Sequence, residues 1–228
     1  MRIKVLILLG WLCTVTVWAQ QSEVRNVGSF EGVKSEQAID VYLKKGDKES
    51  VKVEVTGESL SNVITEVSGT ILRIRFKSNS FFRGKSDVKV YVTYVIMEKI
   101  VASSASNVFS DGVIKTRDME IHGSSAAEIE VSLEANEVRV QASSAAHVTL
   151  EGKASSIDGR ASSSGDINAY SMQVESATAN ASSGGGIKLN VQNALDAGAS
   201  SGGSIRYRGN PMKTNTHSSS GGSVKKSN

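Results

Sequence analysis

The chain of 228 residues has one cysteine, two tryptophans and three histidines. Cys13, Trp11 and Trp18 all lie in the first nineteen residues. Beyond them there is no thiol, so no disulfide framework and no cysteine-based zinc site can form. Five tyrosines and five phenylalanines are a thin supply for stacking sugars in a substrate cleft. Neither sign of charge dominates: 26 basic residues face 23 acidic ones, and without Arg2 and Lys4 the basic total falls to 24. A net charge near +1 gives no electrostatic case for nucleic acid. No phosphate loop, zinc spacing or nucleotide-binding motif occurs, and no cofactor is expected.

The sole long apolar run, Val5 to Leu12, is too short to span a bilayer, and no second one follows. It lies between Arg2 and Lys4 on one side and Val17 and Ala19 on the other. This is the pattern of a secretion signal cut between Ala19 and Gln20, so residues 1–19 are expected to be a signal peptide. Cys13 follows Leu12 rather than the small residue of a lipoprotein signal, and no lipid anchor is expected. The product is expected to cross the inner membrane and reside in the periplasm, at the outer membrane or outside the cell.

What the chain has in abundance is small residues in a repeat. A serine pair recurs with first members Ser103, Ser124, Ser143, Ser162, Ser182, Ser200 and Ser219, at intervals of 18 to 21 residues. A small residue precedes each pair and two more follow, as in Ala142-Ser143-Ser144-Ala145-Ala146 and Ala181-Ser182-Ser183-Gly184-Gly185. Two positions later stands a branched apolar residue: Val108, Ile129, Val148, Ile167, Ile187, Ile205 and Val224. A mostly polar residue and a second, mostly apolar, one follow it. This alternation of period two places a short strand after every small-residue corner. A period of about 20 residues, rich in Ser, Gly and Val, predicts a β-solenoid rather than a helical one. Residues 101–228 are therefore expected to be a parallel β-helix, with coils about 4.8 Å apart. The serine pairs should stack at one corner, their hydroxyls bonded up the ladder, which is a structural role rather than a nucleophilic one.

Residues 20–100 alternate differently. Ile39, Val41 and Leu43, then Val51, Val53 and Val55, then Leu72, Ile74 and Phe76, then Val88, Val90 and Val92 mark four strands separated by turns such as Lys44 to Asp47 and Ser68-Gly69. These predict an antiparallel or mixed sheet region, continuous with the solenoid near Ile100 and able to cover its end.

Val27-Gly28-Ser29-Phe30-Glu31-Gly32-Val33, followed by Ala38 to Leu43, Gly46-Asp47 and Val51 to Val53, resembles the head GIN domain family of auto-transporter adhesin-like proteins, as does Ser164-Gly165-Asp166-Ile167-Asn168. The resemblance covers nearly all of the chain after the signal. The G-x-I-N element is strict at Gly165 to Asn168, while other copies read Gly-Gly-Ile-Lys or Gly-Ser-Ile-Arg. The resemblance implies an exported, right-handed β-helical protein of Gram-negative bacteria with an adhesive role.

Candidate functional residues fall into three groups. Glu128, His147 and Asp166 occupy the same position in successive coils and should form an outer ladder. Two carboxylates beside a histidine suit a metal or an acid–base pair, but the expected reading is an exposed charge ladder, with no catalytic or metal role. Lys188, Arg206 and Lys225 should stack on the outward face of later coils, with Arg208 and Lys226 near, as a surface for anionic partners or a solubilising face. Phe81 and Phe82, between Lys77 and Arg83, suit partner or membrane contact. His122 and His217 lie five coils apart, roughly 24 Å, and cannot share a metal. The remaining acids are scattered over coil positions rather than gathered.

The expected function is an exported, non-enzymatic adhesion or structural module of the cell envelope. Its expected partners are surface glycans or other envelope components. The alternative is a carbohydrate-active β-helix enzyme, a polysaccharide lyase or hydrolase, which needs carboxylates converging in one cleft.

Overall fold

In the computed structural model, residues 20–77 and 86–227 are described. Seventeen strands run through them. They are β1 (Gln21–Arg25), β2 (Gly32–Glu36), β3 (Asp40–Lys45), β4 (Ser50–Thr56), β5 (Val63–Ser68), β6 (Ile71–Phe76), β7 (Asp87–Tyr94), β8 (Lys99–Ser103) and β9 (Asn107–Lys115). After these come β10 (Asp118–Gly123), β11 (Glu128–Ala142), β12 (His147–Ala161), β13 (Asp166–Ala181), β14 (Gly186–Ala199), β15 (Ser204–Arg208), β16 (Lys213–Ser218) and β17 (Ser223–Lys226). Among the described residues there is no α-helix, only a 3₁₀ turn at Leu60–Asn62.

From β8 onward every pairing is parallel, each strand lying on the strand one coil earlier. One wall of the coil precedes the serine corner and contains β8, β10, the second halves of β11 to β14, and β16. The other follows the corner and contains β9, the first halves of β11 to β14, β15 and β17. The fixed apolar positions stack as predicted: Val108, Ile129, Val148, Ile167, Ile187 and Ile205 are in register and buried, Val41 extends the column below them, and Val224 ends it half-buried. Each such side chain contributes roughly 1.5–3 kcal/mol by leaving water. The small residues before the serines, Ala102, Ala142, Ala161, Ala181 and Ala199, form a second buried column with Ser35.

The corners close by a turn that only certain backbones accept. The second serine and the residue after it both have positive φ, as at Ser144 (51°) and Ala145 (62°), or Ser183 (49°) and Gly184 (73°). The residue that follows donates back to the first serine's carbonyl, 3.1 Å from Ala146 N to Ser143 O. This is the geometry of a type I′ turn. It aims each corner N–H at the next coil: Ala105 N reaches Ser125 O at 2.9 Å, and Ala126 N reaches Ser144 O at 2.9 Å. The ladder therefore runs through the corner on backbone bonds. The expected hydroxyl ladder is not there: among the described residues no hydroxyl bond joins a corner serine to the serines of the next coil. The first serine of each pair in the corners from Ser103 to Ser200 is half-buried and the second is exposed. A half-open hydroxyl can bond water at no cost, so stacking does not require it to bond its neighbour.

Parallel coil stacking continues below Ser103. β2 lies on β8 with Glu36 opposite Ser103, and β3 lies on β9 with Asp40 opposite Asn107. Gln37 and Ala38 have φ of 69° and 51°, and Ala38 N donates to Ser104 O. This is an eighth corner, built without a serine pair. On it rest β6 and β7, each parallel to the strand it meets. Beyond those the pairing turns antiparallel: β5 on β6, β4 on β7 and β1 on β4. The N-terminal region thus continues both walls and changes strand direction as it does so. Phe30, Val51, Val53, Leu72, Ile74 and Val90 carry the same buried core into it.

Candidate functional site

Alternation sends every second side chain of a wall outward, and register then lines these side chains up along the coil axis. On the wall after the serine corner two outward columns result. One runs Asp40, Asn107, Glu128, His147, Asp166, Gly186, Ser204 and Ser223. The other runs Tyr91, Tyr42, Phe109, Glu130, Thr149, Asn168, Lys188, Arg206 and Lys225.

The first column contains the Glu128, His147 and Asp166 ladder. His147 Nε2 lies 3.5 Å from Asp166 Oδ2, and Lys188 Nζ lies 4.0 Å from the same oxygen. That oxygen is buried and accepts no hydrogen bond, so its compensation is electrostatic. Asp166 fits because its neighbour is glycine: a Cβ on Gly186 would stand 2.5 Å from Asp166 Oδ1. Glu128 makes no ion pair with His147 among the described residues. The described residues also contain no group of three His, Cys, Asp or Glu side chains able to hold a metal. The ladder is thus an aspartate held between a histidine and a lysine, the lysine belonging to the second column.

Lys188, Arg206 and Lys225 stand directly opposite one another on β14, β15 and β17. Arg206 and Lys225 are exposed and have no acidic partner among the described residues. Nearby, the Arg208 guanidinium lies 4.1 Å from the Tyr170 ring centroid, and Lys226 Nζ donates to Asn210 Oδ1 at 2.6 Å. From Ala197 to Asn228 the sequence has five basic residues and no acidic one.

The opposite end of the same column is aromatic. Tyr42 stacks on Tyr91 at 5.3 Å and on Phe109 at 5.4 Å between centroids. Lys52 Nζ, 5.8 Å from the Tyr91 ring centroid, pairs with Glu54 at 2.6 Å. Hydrogen bonding from Lys52 holds the Glu54 carboxyl below the usual carboxylate range, while burial and then Glu54 push the Tyr91 phenol up. Sequence reasoning missed this trio. Phe109, an aromatic at an outward position of the repeat, was the one available signal. Phe81 and Phe82 lie outside the described residues.

Sequence reasoning also missed a groove of about 700 Å³ on the side of the solenoid away from the serine corner, where each long strand bends from one wall into the next. Lys115, Glu134, Lys153 and Gln173 follow one another in register along it. Glu134 is clamped by Lys153 at 2.9 Å and Lys115 at 3.1 Å, and their hydrogen bonds hold its carboxyl below the ordinary range. The other acid there is Glu175. On the wall before the corner, Glu120 is held low in the same way by Lys99 and His122.

The family model described as "Putative auto-transporter adhesin, head GIN domain" matches residues 29–211. Crystal structures of other proteins share the fold. A putative adhesin from Bacteroides fragilis superposes with a TM-score of 0.84 at 18% identity, covering 92% of this chain and 97% of that one. A putative adhesin from Parabacteroides distasonis gives 0.74 at 20% identity with the same coverage, and a putative lipid binding protein from that organism gives 0.72 at 18%, also with the same coverage. No curated protein matches the chain. No helix among the described residues is long and apolar enough to cross a membrane.

Proposed function

The chain belongs to the head GIN domain family, and on that premise we propose that it is an exported, non-enzymatic binding module of the cell envelope. Its contact surface is the cationic end of the outward column, and the ligand is an anionic envelope polymer such as lipopolysaccharide. One observation carries this reading. Lys188, Arg206 and Lys225 face one another across adjacent strands. Like charges directly opposite on a sheet destabilise it. The stretch around the last two has no acid to relieve the repulsion. An external anion relieves it and gains roughly 1 kcal/mol per cation. The sequence of residues 1–19 supports export.

Binding of residues 20–228 to heparin and to lipopolysaccharide, at low and physiological salt, tests the proposal. Changing Lys188, Arg206 and Lys225 together to Ser removes about 3 kcal/mol, on the order of a hundredfold in affinity. Raising the salt weakens binding by the wild type. No binding at low salt, or binding that survives the triple change, leaves the column as a solubilising face only.

A further inference from the structure

We infer that the chain forms a twofold dimer through the outer edge of β1, strand against strand at the N-terminal end of the solenoid. The occupant of that edge is a second copy of this chain, and the inference stands without the cationic column.

Among the described residues β1 pairs with β4 on one side and with no strand on the other. Its outer edge presents backbone donors and acceptors that can template a further strand. Proteins blunt such edges with lysine, proline or a bulge. β1 reads Gln-Ser-Glu-Val-Arg, with neither lysine nor proline, and its register on β4 is unbroken. Val24 lies opposite Lys52, so it faces outward, and it is 65% exposed.

The residues of β1 are complementary to themselves. Antiparallel pairing about Val24 sets Glu23 of each copy opposite Arg25 of the other, Val24 opposite Val24, and Ser22 opposite Asn26. Within one copy Glu23 already bonds Arg25 at 2.8 Å, so the seam joins two ion pairs into a cluster of alternating sign. No like charges meet across it, and a β-branched pair lies on the axis, as stable cross-strand pairing favours.

The other edges refuse the same contact. At this end Arg25 reaches across to donate to Val63 O at 2.6 Å and Leu60 O at 2.7 Å, which puts a cation over the start of β5. At the far end β16 and β17 carry Lys213, His217, Lys225 and Lys226 and no acid. A seam between two copies there would gather those cations. One pairing end per copy closes a dimer and does not grow a fibre. The twofold axis stands normal to the sheet, so the wall after the serine corner runs from one copy into the next. The Lys188, Arg206 and Lys225 columns then lie on one face, at its two extremities. A seam of five residues is shorter than a standard interface, and the dimer is accordingly weak.

Sedimentation velocity of residues 20–228 tests this over about a hundredfold range of concentration up to roughly 0.2 mM. The inference predicts monomer at the low end, dimer at the high end and nothing larger. Val24→Glu faces Lys52 of its own copy, which keeps the fold, but sets two glutamates on the axis and weakens the dimer at least about tenfold. Val24→Lys does the same, and an equimolar mixture of the two variants restores the dimer. A thiol at the axis comes within disulfide reach of its twin. Val24→Cys therefore oxidises to a covalent dimer, while Asn215→Cys on β16 does not. A monomer at every concentration overturns the inference. So do a dimer that survives Val24→Glu, growth beyond two copies, or equal cross-linking at both positions.

Discussion

At the scale of the residue, the corners hold the most telling conformations. Thirteen non-glycine residues among those described have positive φ. Each costs on the order of 1 kcal/mol for an L-residue other than Asn or Asp. Later coils reduce this cost: the residue after the serine pair is Ala105, Ala126 and Ala145 early on, and Gly184, Gly202 and Gly221 later. Ala145→Gly should therefore stabilise the protein by a few tenths of a kcal/mol, the relief of about 1 kcal/mol being largely offset by glycine's greater freedom when unfolded. Chemical denaturation measures it, and a loss of stability would mean that the turn is not strained at that site. One position further on the constraint is steric. A Cβ on Gly165 would come within 2.3 Å of Ala142 O, and the turn there closes at 2.8 Å, against 3.1 Å at Ala146. Ser35 offers a second prediction. It is fully buried in the small-residue column and its Oγ has no partner. Ser35→Ala removes an unpaired buried hydroxyl and gains about 1 kcal/mol, read as a raised midpoint of denaturation.

At the scale of the element, the coil is the unit of folding, and its centre is the branched apolar column. Ile167 is fully buried between Val148 and Ile187. Ile167→Asp places an unpaired charge there and costs more than 4 kcal/mol, enough to abolish cooperative melting followed by circular dichroism. A variant that melts like the wild type contradicts the stack. This column was legible from spacing alone, because a serine pair marked each corner and the branched residue followed at a fixed distance. The corner at Gln37 and Ala38 was not legible: no serine pair marks it, and its conformation is imposed by pairing with Ser103 and Asn107 some 67 residues away. The strands around Val51, Leu72 and Val90 were visible by alternation, but their pairing was not. β1, with four exposed residues in five, has no alternation to detect and exists because β4 offers an edge. The cationic column and the Glu128, His147 and Asp166 ladder follow from register and could be read ahead. The aromatic trio and the groove depend on which strands meet and where the coil bends, and the repeat alone contains neither.

At the scale of the whole molecule, charge is distributed along an axis. Glu54, Glu120 and Glu134 each hydrogen-bond to a cation that holds the carboxyl in its ionised form. Free cations gather in the last coils, while Glu120 and Glu134 are already paired with lysines. The solenoid spreads its chemistry over long faces and does not focus it in one cleft, which suits binding to a polymer or a surface. The most direct test is incubation of residues 20–228 with pectin, alginate and host glycans, with and without calcium, followed by assay for new reducing ends and unsaturated products. The account predicts no turnover on any of them. Turnover that disappears in Asp166→Asn or His147→Ala would contradict it and make the aspartate between His147 and Lys188 an active site.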